Sequence, residues 1–100
     1  MQPRLNINMP TDHVAGVYAD LVSAWHTPNV FVLDFAAVVR PVHPEQTDDG
    51  KDVLQLDAQV VARVKIPPSQ VFEIMKALEK QLTAWETETG KRTVPPKEPT

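Results

Sequence analysis

The chain contains no cysteine, which removes disulfides, thiolate nucleophiles and cysteine-ligated zinc. That absence fits a reducing compartment, and the cytoplasm is the expected location. Only three glycines are present, with no GxGxxG, P-loop or GxSxG pattern among them, so no phosphate-cradling loop or nucleophile elbow is expected. No apolar run approaches the roughly 20 residues of a membrane-spanning helix, and the first ten residues lack the apolar centre of a secretory signal. Positive charge is also scarce. A net charge of −3 and a pI near 5.5 give no basic footprint for nucleic acid.

What is present suits one small globular domain. A hydrophobic fraction of 42% over 100 residues supports a packed core, but chains this short bury a smaller share of their surface than long ones. Small domains often stabilise themselves by association. Residues 1–12, with two prolines around Leu5, Ile7 and Met9, read as a loosely held arm with one extended piece at 5–9. Residues 13–90 read as a single α+β domain. Residues 91–100 carry three prolines and only Val94 as a large apolar residue, which predicts a disordered tail.

Three strands and one helix are expected between these ends. Residues 16–26 alternate Val17, Ala19, Leu21, Ser23 and Trp25 against Tyr18, Asp20, Val22, Ala24 and His26. A turn at Thr27-Pro28-Asn29 follows. Residues 30–40 form the most apolar stretch, with Phe31, Leu33, Phe35, Ala37 and Val39 on one face. Val30, Val32, Asp34, Ala36 and Val38 occupy the other. Pro41, Pro44 and the polar run 46–52 predict a surface loop. Residues 53–66 alternate Leu54, Leu56, Ala58, Val60, Ala62, Val64 and Ile66 against polar positions, the pattern of a half-buried antiparallel strand. Pro67-Pro68 then opens a helix over 68–88, whose Val71, Ile74, Met75, Leu78, Leu82 and Trp85 form one stripe. Gly90 is placed to end it.

The expected architecture is thus a β-β-β-α arrangement, a three-stranded antiparallel sheet packed against one C-terminal amphipathic helix. One helix covers one sheet face. The second face keeps Val30, Val32, Ala36 and Val38, joined by Tyr18, Val22 and Ala24 or by Val17, Leu21 and Trp25 according to hairpin register. An apolar face of this kind predicts an interaction site completed by homodimerisation. The competing arrangement folds residues 1–12 over it. Tyr18, Val22, Trp25, Val30, Val32 and Val38 are the interface candidates.

Candidate chemistry is sparse. Asp20 and Asp34 lie in otherwise apolar strands. After a three-residue turn they share a face, where paired carboxylates can do acid–base work or hold a cation. After a four-residue turn they point apart. Each also reads as a structural acceptor of nearby hydrogen bonds. With His26 they make up the one candidate polar site. His13, His26 and His43 match no metal-ligand spacing, Ser23 and Ser69 lack a nucleophile context, and no cofactor or metal is expected. Trp25 and Trp85 suit interface anchors, although Trp85 also falls on the helix stripe; Phe72 sits off that stripe. Nucleic-acid binding requires Arg40, Arg63 and Lys65 to form one stripe. The expected function is a non-catalytic homodimeric protein-interaction or scaffold module. The alternative is a small ligand-binding protein or enzyme with a carboxylate pocket at the dimer interface.

The run Val17-Tyr18-Ala19-Asp20-Leu21-Val22, then His26-Thr27-Pro28 and Phe31-Val32-Leu33-Asp34-Phe35, resembles a small prokaryotic family known as a domain of unknown function. The likeness continues through Arg63-Val64-Lys65-Ile66-Pro67-Pro68, Ala77-Leu78 and Trp85-Glu86 to Gly90. The family pattern has Asn at position 20 and Ser at position 67, where this chain has Asp20 and Pro67. The first departure weakens a required acid at position 20; the second removes a serine cap. The resemblance implies a bacterial, cytoplasmic protein of this architecture, with no reaction, cofactor or substrate attached.

Overall fold

The structure is a computed structural model and describes residues 3–93. The start of the expected arm (residues 1–2) and most of the expected tail (residues 94–100) lie outside the described residues. Among the described residues, five strands and one α-helix follow in chain order: β1 (Leu21–His26), β2 (Phe31–Val38), β3 (His43–Gln46), β4 (Asp52–Gln55), β5 (Ala58–Ile66) and α1 (Val71–Thr89). β1, β2 and β5 make a three-stranded antiparallel sheet in that spatial order, and β3 pairs with β4 separately. The fold class is therefore α+β, as the sequence predicts. The chain gathers into two compact units. One contains residues 3–25 with Val32–Val64, and the other contains His26–Phe31 with residues 65–93.

In the sheet, four residues separate β1 from β2, and the Thr27 amide donates to the Val30 carbonyl at 2.9 Å. That is the longer of the two turns the sequence allows. Trp25 and Arg63 both reach Asp34, so Leu21, Ser23 and Trp25 share a face with Val32, Asp34, Ala36 and Val38, and with Gln59, Val61 and Arg63 of β5. Val22 and Ala24 project oppositely, with Phe31, Leu33, Phe35, Val60, Ala62 and Val64. Val32, on the central strand, is buried at 1% exposure.

Three expectations about element boundaries need correction. The first strand begins at Leu21 rather than at residue 16. Its forerunner is held instead by Asp20, whose amide donates to the Ala36 carbonyl at 3.0 Å. The single strand expected over 53–66 is divided into β4 and β5 at Leu56-Asp57. There the Asp57 carbonyl accepts from the Val39 amide at 3.0 Å, and its carboxylate gathers Arg40 and Gln55.

The polar loop expected across 41–52 contains a hairpin, with His43 opposite Gln55 and Gln46 opposite Asp52. Thr47 donates to the Lys51 carbonyl and Gly50 to the Thr47 carbonyl, both at 2.9 Å, and Gly50 has φ 81°. A three-residue loop ending in a left-handed glycine suits tight antiparallel pairing. Because 47 and 51 are a hydrogen-bonded pair, Pro44 falls at a non-hydrogen-bonded position, where its missing N–H costs nothing.

Pro68–Gln70 form a 3-10 turn that runs into α1. Neither start carries a side-chain cap, consistent with Pro67 standing where a serine would cap. At the other end Gly90 adopts φ 71°, and its amide closes on the Glu86 carbonyl at 2.8 Å. This left-handed stop requires glycine or pays for its Cβ.

Candidate interaction surfaces and polar clusters

The best-defined polar cluster spans all three strands of the sheet. Asp34 on β2 accepts two hydrogen bonds from Arg63 on β5, at 2.6 Å (Nε to Oδ1) and 3.0 Å (Nη2 to Oδ2). The Trp25 indole of β1 donates to Oδ2 at 3.1 Å, and the guanidinium carbon lies 5.5 Å from the centre of the Trp25 ring. The Asp34 side chain is 12% exposed. The Arg63 and Trp25 bonds hold its carboxyl below the ordinary carboxylate range, and Arg63 is raised in turn. A carboxylate occupied by a two-point guanidinium contact and an indole is poorly placed as an acid or base, because both oxygens already accept. What the arrangement does supply is a clamp across the strands.

Asp20 is held elsewhere. Its Oδ1 accepts from the Val38 amide at 3.1 Å, the structural reading of that residue. His26 stacks on Phe31 with ring centroids 5.2 Å apart. Asp20, Asp34 and His26 thus have separate partners and form no common cluster.

A second cluster, which no sequence pattern marked, surrounds Asp57. Arg40 and Gln55 donate to its two oxygens, and His43 Nε2 lies 3.7 Å from Oδ2 and 3.5 Å from Glu45. Arg40 first, then Gln55, lowers the pKa of Asp57. His43 Nδ1 lies 3.1 Å from the Pro41 carbonyl. Asp57 alternates as one more polar position in a long strand, so nothing in the sequence separates it from Gln55 or Gln59. With Arg40 on Asp57 and Arg63 on Asp34, two of the three cations of a nucleic-acid stripe are committed to carboxylates.

His13 ends a 3-10 turn at Thr11–His13 and is exposed. Among the described residues no group of three His, Asp or Glu side chains is placed to hold a metal. No helix among them is long and apolar enough to cross a membrane.

The apolar residues tell a different story. Of the interface candidates, Tyr18, Val22 and Trp25 are exposed at 76%, 61% and 44%. Val30 and Val38 are half-buried and Val32 is fully buried. The helix adds a surface that its apolar periodicity alone assigns to the core. At about 100° per residue, Val71, Ile74, Met75, Leu82 and Trp85 all lie within about 60° of Leu78, so Leu78 is the centre of the stripe. It is 66% exposed, Met75 59%, and no residue of α1 is buried. Phe72, beside the stripe, is exposed and carries the Lys76 ammonium 5.1 Å from its ring centre.

No curated protein and no solved structure is significantly similar to the chain. A family model described as "protein of unknown function (DUF3467)" matches residues 1–91. Since that match takes in the arm, every strand and the helix, the chain belongs to this family.

Proposed function

We propose that the protein is a small homodimeric protein-interaction or scaffold module of the cytoplasm, without catalytic activity. The observation that carries this reading is the helix stripe, whose central residue, Leu78, is more exposed than its half-buried neighbours Val71, Ile74 and Leu82. A stripe with that periodicity is selected for burial, and a patch left in water is a surface for association. A second copy is the simplest partner, since small chains commonly close their apolar surfaces by two-fold symmetry. The lack of cysteine supports a reducing compartment. A carboxylate pocket using Asp20, Asp34 and His26 is the competing reading, and the separate partners of those side chains speak against it.

Sedimentation equilibrium tests the proposal. A dimer mass at low to high micromolar concentration is expected, and a monomer throughout that range overturns it.

A further inference from the structure

Residues 3–10 run without a strand partner from Pro3 to Pro10, and Leu5, Ile7 and Met9 stand 84%, 79% and 65% exposed. They alternate with Asn6 and Asn8, which is the period of a strand with one apolar face. The family match begins at residue 1, so this arm belongs to the matched region.

The same chain has a strand edge with no partner. In the order β1-β2-β5, the outer side of β5 is open along nine residues among the described ones. Open edges ordinarily carry a proline, a bulge or a charge that discourages pairing. β5 has no proline, and of its two charges Arg63 is drawn toward β2 by Asp34 at 2.6 Å while Lys65 stands next to its C-terminal end, which leaves residues 58–62 without a charge.

The two patterns also match. β5 presents Ala58, Val60, Ala62, Val64 and Ile66 on one face and Gln59, Arg63 and Lys65 on the other, with Val61 the exception. A strand reading Leu5, Ile7, Met9 against Asn6, Asn8 extends both faces in kind when paired in register. The edge of β1 offers no such sorting, because Leu21 and Trp25 on one face oppose Val22 and Ala24 on the other. At about 3.3 Å per residue, the five arm residues span about 17 Å, well within the roughly 30 Å of β5.

We propose that residues 5–9 are a donated strand, pairing along the open edge of β5 in a second copy of the chain. The inference rests on the homodimer reading and adds to it the element that is exchanged. Reciprocal donation satisfies two arms and two edges with one two-fold axis, and forms a closed rather than a growing assembly.

The test uses the full chain. Ile7→Pro and Asn8→Pro are made side by side, because adjacent strand residues direct their N–H groups to opposite sides and one of the two must face the β5 edge. Both lie in a segment that is exposed in the single chain, so the sheet and helix should keep their circular dichroism. By sedimentation, the dimer dissociation constant should rise at least tenfold in one of the two. A monomeric wild type overturns the homodimer reading and this one with it. A dimeric wild type with both proline variants unchanged as dimers overturns the donated strand alone.

Because the chain has no cysteine of its own, single-cysteine variants add a direct measurement. Mixing an affinity-tagged Ile7→Cys chain with an untagged Val60→Cys chain and a short bismaleimide should yield a crosslinked pair containing both. If a chain carrying both substitutions crosslinks only within itself, the arm covers its own sheet and the proposal fails.

Discussion

Asp34 owes its depressed pKa to bonds that exist only when three strands are assembled. Arg63 is 29 positions away in sequence and Trp25 is nine, so unfolding returns the carboxyl to its ordinary behaviour near 3.8. A group whose folded value is depressed contributes stability above its unfolded value and loses it as pH falls through the folded one. The melting temperature should therefore drop on acidification below about pH 4. Asp34→Asn should start lower than wild type at pH 7, with the gap narrowing steadily toward pH 2. A gap of constant size across that range would mean that the charge on Asp34 contributes nothing to the clamp. The candidate site was partly legible at this scale. Asp34 stands out as an acid amid Val32, Leu33 and Phe35, which announces a partner but not which one. The partner depends on strand order and register, and neither is written in local spacing. Asp57 could not be found at all, since its role arises where the chain leaves one sheet and enters another.

Elements differ in how much of their cause is local. The helix was readable because its stripe, its opening prolines and Gly90 all lie within some two dozen residues. Gly90 itself gives a quantitative expectation. An added Cβ there meets nothing within 4 Å, so Gly90→Ala carries only the backbone penalty of a left-handed alanine, about 1–2 kcal/mol. Urea denaturation should show that loss with an unchanged slope. A loss under about 0.3 kcal/mol, within the noise expected of surface changes, would mean that the helix frays before Gly90. The β3–β4 hairpin was unreadable for the opposite reason. Pro41, Pro44 and the run Gln46, Thr47, Asp48, Asp49 lack any apolar alternation. The pairing is held by turn geometry instead: Gly50 beyond a type I turn, Thr47 on Asp49, and the Lys51 amide on Asp49 at 3.3 Å. Such hairpins form by short-range closure, and a search for buried periodicity passes over them.

At the scale of the whole molecule, the apolar stripe of α1 and the exposed arm pose the same physical question of what removes them from water. Leu78 lets it be asked with one substitution. Replacing it by Asp places a charge at the centre of the stripe. In a single chain that position is 66% exposed, and surface changes there cost about 0.5 kcal/mol or less. If a second copy covers the stripe, two symmetry-related carboxylates must be desolvated in the interface, which is costly without a cationic partner. The wild-type melting temperature should then rise with protein concentration, since association stabilises the folded state by mass action. Leu78→Asp should abolish that dependence. It should also raise the dimer dissociation constant at least tenfold, while helical circular dichroism is retained. If wild type and variant share the same concentration dependence, the stripe lies outside the interface. Unfolding of the variant at every concentration would instead return Leu78 to the core of its own chain, the role its periodicity first suggested.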